Sequence, residues 1–240
     1  MLWGSLIIFC SAVLQSLSGF GFSLLAAPLI TLLVFPRIAV PVLVIFSIFI
    51  NLGVICFNHA HIELKSMRIL IAGGVMALPL GARVLVILPG DILKIIIGVI
   101  ISVFALYFIM GRMNGKSGVK WILFPIGLIS GTLSSSISMG GPPVIIYLTS
   151  RNVKMGFFKG NLAVYFLILN LIAIPIYIMN RLVTREVLDL SLYLFPALLL
   201  GIGVGNYASR YLPERYFRRV TVVLMLGMGI LAIISGLGFW

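Results

Sequence analysis

Only 9% of the 240 residues are charged, and five of those are acidic. Soluble domains carry roughly 25% charged residues, so a water-soluble fold is excluded. Cysteine is scarce. Cys10 and Cys56 sit inside apolar stretches with no disulfide or metal-site spacing, and they read as small buried hydrophobes. The two histidines, His59 and His61, lie together before Glu63; they read as a solvated loop, although an imidazole there could sense pH. Glu63, Asp91, Glu186, Asp189 and Glu214 all fall at or near segment ends, which excludes the buried carboxylate relay of many pumps. The marks of an enzyme are missing as well. There is no HExxH, no nucleotide loop, no paired acids, and no base to activate Ser134, Ser135 or Ser136 as a nucleophile. No enzymatic activity, no cofactor and no metal is expected. Met1-Leu2-Trp3 lacks the positive n-region of a secretory signal, so no cleavage is expected.

What the chain has is apolar length. It is 62% hydrophobic with a mean hydropathy of +1.25. The runs Ile38–Phe57, Ile69–Leu88, Ile92–Gly111 and Val220–Trp240 each reach the ~20 residues that cross a hydrocarbon core of ~30 Å. The expected fold is therefore an all-α polytopic membrane protein. Its formal charge of +12 would suit a polyanion partner, but the basic residues lie between apolar spans, where insertion into a membrane concentrates them. The lipid bilayer is the partner expected, and nucleic acid is not. Assembly into a homo-oligomer stays open.

Two Gly-rich stretches interrupt the apolar runs: Ser18-Gly19-Phe20-Gly21 and Ser138-Met139-Gly140-Gly141-Pro142-Pro143. An offset of 119 carries Gly21 onto Gly140 and Asn51 onto Asn170; an offset of 124 carries Gly81 onto Gly205 and Leu88-Pro89 onto Leu212-Pro213. Trp3 and Trp121 open the two halves. This periodicity signals an internal repeat, residues 1–115 and 116–240, within one integral membrane domain. If each broken segment is a helical hairpin returning to its own face, Arg37, Arg83, Lys94, Arg181 and Arg185 share one side, and the other twelve Lys and Arg, Lys159 among them, share the opposite side. A single crossing by each broken segment splits them ten to seven instead. The positive-inside rule favours the twelve-to-five arrangement. Each half is then one hairpin plus three crossings, an odd number, so the repeats are inverted and both termini lie outside.

Breaks inside apolar helices are tolerated where the freed backbone groups line a cavity, and paired breaks in two halves mark a transporter's binding site. Pro142 suits the first turn of a helix. The amides of Met139, Gly140 and Gly141 would then point along that helix toward an anion. Hydroxyls of Ser134, Ser135, Ser136 and Ser138 lie just upstream, and Gln15, Ser16, Ser18 and Ser23 surround the first break with Gly19 and Gly21. Asn51 and Asn170 are either interhelical hydrogen bonders or walls of the site. Arg83 could bring a charge to the cavity or snorkel to the interface.

The two breaks, the second reading Gly140-Gly141-Pro142-Pro143, and the Leu-Pro before the last helix of each half resemble the TauE/SafE sulfite exporter family. The resemblance spans nearly the whole chain. It implies transport of small sulfur-containing or organic anions across a bacterial inner (plasma) membrane. The first break departs from the family's fuller Gly run, with Phe20, Phe22 and Ser23 interrupting it. The expected function is a secondary transporter of small anions, sulfite or organosulfonates, working by alternating access. A non-transporting membrane anchor subunit and a passive anion channel are the alternatives. A reporter that matures only in the cytoplasm, fused after Trp240, is expected to stay dark; a bright reporter would refute the topology.

Overall fold

The computed structural model describes residues 2–18, 20–58, 62–109, 120–150, 155–208, 227 and 230–237. The described residues are helical with short turns, and no strand occurs among them. The order is α1 (Leu2–Ser18), α2 (Phe22–Leu33), α3 (Pro36–Asn58), α4 (Leu64–Ile87), α5 (Gly90–Ile109), a 3₁₀ turn (Lys120–Ile122), α6 (Leu123–Ile137), α7 (Gly141–Ser150), α8 (Met155–Met179) and α9 (Arg185–Ala208). Residues 230–236 are also helical, and Gly236 lies against the carbonyl of Asp91 and the side chain of Ile95 at the start of α5.

Four helices contain stretches long and apolar enough to cross a membrane: Pro36–Cys56, Met67–Ile87, Gly156–Met179 and Arg185–Ala208. The runs expected over Ile38–Phe57 and Ile69–Leu88 are α3 and α4, and that over Ile92–Gly111 is α5 as far as Ile109. Most of Val220–Trp240 lies outside the described residues, as do Gly19, His59, His61, Leu212, Pro213 and Glu214. The two Gly-rich breaks separate α1 from α2 and α6 from α7. The pieces beyond them are short: α2 has 12 residues and α7 has 10. At ~1.5 Å per residue, α7 is ~15 Å long, about half a hydrocarbon core.

The tightest packing is backbone against backbone. Along the α4–α6 crossing, Gly73 faces the carbonyl of Phe124, Gly127 that of Leu70, Gly131 that of Gly74, and Gly81 that of Thr132. At the α1–α9 crossing, Gly201 faces the carbonyl of Phe9, and Gly205 faces Val13 and the Cβ of Ser16. Small residues permit such approach where lipid offers no hydrophobic drive between helices. Gly81 and Gly205, aligned in sequence, thus sit at matching crossings. The third large contact joins α3 to α8.

The outside of the bundle is apolar. Met76, Leu80, Leu192 and Leu200 are each more than half exposed, a surface that requires a hydrocarbon environment. This explains a correction: Cys10 and Cys56 are exposed, not buried. In a membrane protein an apolar residue faces lipid as readily as protein, so hydrophobicity alone does not indicate burial.

Gly131→Val is expected to overpack the α4–α6 crossing and destabilise the protein by about 3 kcal/mol, the upper end for forced overpacking. Gly203→Val, where a Cβ meets nothing within 4 Å, should leave the thermal unfolding midpoint in detergent nearly unchanged. Equal midpoints for the two variants would contradict the crossing.

Candidate functional site at the meeting of the two breaks

Gly21 stands at the N-terminus of α2 with φ 111° and ψ −5°, a left-handed geometry that an L side chain resists by ~1–2 kcal/mol. The turn leaves the amide of Phe22 without a helical acceptor. Gln15, seven residues earlier on α1, supplies one: Phe22 N donates to Oε1 of Gln15 at 2.9 Å. The second break uses other means. Ser138 is left-handed with φ 60°; its amide donates to Ser134 O at 3.0 Å, and the amide of Met139 donates to Leu133 O at 3.1 Å. Ser130 Oγ donates to Gly140 O at 2.6 Å. The two breaks touch: Ser23 Oγ and Ser138 Oγ are 3.1 Å apart.

Around this contact lies a cavity of about 50 Å³. Its polar lining includes Gln15 and Ser23 beside the first break, and Ser134 and Ser138 beside the second. Gly21, Met139, Gly140 and Gly141 add the turns themselves, while Asn51 on α3 and Asn170 on α8 face it from the crossing helices. Both asparagines are deeply buried, at 2% and 3% exposure. Ser47, Leu24, Ile50, Ile145, Leu162 and the rings of Phe20, Phe22 and Phe166 also line it, and among the described residues none of the lining side chains is charged. The space exceeds the ~10–15 Å³ needed to hold a single water. A second cavity of about 370 Å³, beside the α2–α3 turn with Lys94 and Glu186, contains none of the expected site residues.

Several expected residues serve other purposes. Ser16 Oγ donates to Ala12 O and its Cβ packs on Gly205. Ser135 Oγ lies 2.9 Å from Leu78 O and 3.0 Å from Gly131 O, and Ser135 O accepts from the Tyr177 hydroxyl at 2.7 Å. Ser136 and Pro142 are buried but do not line the cavity. Arg83 is exposed and away from it. Gly19 and the side chain of Ser18 lie outside the described residues. The helix after the second break begins at Gly141, with Pro142 second. The reason for Ser16 and Ser135 is general: a serine inside an apolar helix bonds to a carbonyl one turn back unless a cavity draws it away.

The donors of the second turn also need correcting. The Met139 amide is already committed to Leu133, and Pro142 and Pro143 have none, so the turn can offer a solute the amides of Gly140 and Gly141. Nor is the missing side chain of Gly140 directed at a solute. A Cβ there would lie 2.5 Å from Ser130 O and 2.9 Å from Ser134 Cβ, whereas a Cβ on Gly141 would meet the tip of Ile145 at 3.2 Å. Ser47 and Phe166 were not anticipated as lining residues. The signal was available: each precedes its asparagine by four positions and shares its helix face.

Gly140→Ala is expected to lower stability by about 1–3 kcal/mol through overpacking against α6. Gly141→Ala should stay within about 1 kcal/mol, since helix propensity favours Ala. Thermal unfolding of the purified variants checks both, and the reverse order would overturn the assignment.

A family model described as "Sulfite exporter TauE/SafE" matches residues 5–232. No curated protein and no solved structure matches the chain.

Proposed function

The chain belongs to the sulfite exporter TauE/SafE family, and from that premise we propose that it carries small oxyanions, sulfite or an organosulfonate, through the cavity between the two breaks. The observation that carries this reading is the uncharged polar cavity where the two turns touch through Ser23 and Ser138. Its volume suits a compact oxyanion. Around the solute stand the amides of Gly140 and Gly141, the hydroxyls of Ser23, Ser134 and Ser138, and the side-chain amides of Asn51 and Asn170. Neutral donors bind an anion without the desolvation penalty of burying a countercharge. The N-termini of α2 and α7 add the positive ends of their dipoles.

Alternating access is the proposed mechanism, with residues 1–115 and 116–240 as inverted repeats, each broken pair a hairpin entering and leaving on one face, and both termini outside a bacterial inner membrane. The packing supports this reading. The first piece of each broken pair packs on a long helix of the other half, α1 on α9 and α6 on α4, and α3 packs on α8. Exchanging the halves maps this pattern onto itself. Rocking the α1–α9 pair against the α4–α6 pair would open the cavity to alternate faces without moving its residues far.

The test joins binding to flux. Sulfite at about 100 times its Kd should stabilise the purified protein by about 2.7 kcal/mol, and proteoliposomes should show saturable sulfite exchange. Gly141→Leu fills the cavity and should cut exchange at least tenfold while the protein stays folded. A non-saturable flux would favour a channel, and absent flux with no stabilisation by any oxyanion would sink the proposal.

A further inference from the structure

Each broken pair presents an anion with two helix ends of opposite character. The N-termini of α2 and α7 attract it; the carbonyl ends of α1 and α6 repel it. At the end of α6 the carbonyls are occupied by neutral donors: the amides of Ser138 and Met139 and the hydroxyl of Tyr177. At the end of α1 the donor is charged. Lys159 on α8 places Nζ 2.8 Å from the carbonyl of Leu17, in the last turn of α1. The lysine is half-buried. It lies one turn before Leu162, which lines the cavity, and residues three apart share a helix face. Its neighbour Phe158 packs edge-on against Phe20, another lining residue, with ring centroids 6.0 Å apart.

Resting on the transport reading above, we propose that Lys159 is the charge-selectivity residue of the pathway, cancelling the wrong-signed end of α1 and favouring an anion beside the first turn. Among the described residues, the lining itself has no charge to do this. Lys159 lies inside the apolar stretch Gly156–Met179, and an ionisable side chain within such a segment points to function. A plain helix cap does not require an ammonium, as the Tyr177 hydroxyl at α6 demonstrates. The cation stands beside the cavity and outside its lining, so it draws the solute without sequestering it.

Three substitutions separate charge from capping. Lys159→Arg keeps a donor and the charge, Lys159→Gln keeps a donor alone, and Lys159→Met keeps neither. In proteoliposomes loaded for sulfite exchange, the Arg variant is expected to hold KM within threefold of the original protein. The Gln and Met variants should both raise KM at least tenfold, although only Met lowers the unfolding midpoint appreciably. A Gln variant with unchanged KM would reduce Lys159 to a cap and overturn the proposal, as would KM values that merely follow the unfolding midpoints. A second measurement needs no variant: methanesulfonate should inhibit exchange at least tenfold more strongly than its neutral isostere dimethyl sulfone, and equal inhibition also overturns it. Absence of sulfite exchange in the original protein would defeat the transport reading itself, an outcome distinct from normal exchange that survives loss of the charge.

Discussion

Two helices stop inside an apolar bundle, and every amide and carbonyl released there must find a partner that water cannot provide. An unsatisfied backbone group in such surroundings costs several kcal/mol, so the breaks dictate much of what surrounds them. Gln15 takes the Phe22 amide, Ser130 bonds the Gly140 carbonyl, Tyr177 the Ser135 carbonyl, and Lys159 the Leu17 carbonyl. These partners come from α1, α6 and α8, so the turns are tied to the helices that enclose them. Of these partners, Gln15 also lines the cavity where the two breaks meet. Structure and proposed function arise from one requirement.

The glycine crossings hold that volume in place. Along α4–α6 and α1–α9 the backbones approach so closely that a methyl group would strike a carbonyl. Contacts of this kind cannot slide gradually, because packed interiors deform by switching between arrangements rather than by stretching. The first piece of each broken pair is therefore fastened to the opposite half of the chain, while α2 and α7 are the shorter pieces at the cavity. In a carrier this divides the molecule into parts that move as units and a site shared between them.

The two breaks manage the same chemistry with different residues. Ser138 adopts a left-handed turn that folds its own amides back on α6, whereas the first break relies on a left-handed Gly21 and on side chains from a distance. The difference follows from composition. Phe20 and Phe22 flank Gly21 at the first break, so their rings line the cavity, and α8 meets the carbonyl end of α1 with Lys159 where it meets that of α6 with Tyr177. The two breaks therefore enclose an asymmetric site.

The spans of α3 and α4, the two breaks, and the pairing of Asn51 with Asn170 and of Gly81 with Gly205 were legible in the residues, because each rests on local chemistry: apolar length, backbone freedom, or a polar group stranded in an apolar run. Which serines face the cavity was not legible. Ser134 and Ser135 are neighbours in sequence, yet one lines the cavity and the other bonds to α4, since a helix turns about 100° between them. The same holds for Cys10 and Cys56, whose apolar surroundings are compatible with lipid or core alike, and for Gly140, whose neighbour proved to be the backbone of Ser130. Lys159 looked like one more basic residue near a span end. A sequence determines where a chain must bend and what polar groups that bend exposes; only the packed structure decides which side chains answer them, because those partners lie from seven positions away, as Gln15 from Phe22, to 142, as Lys159 from Leu17.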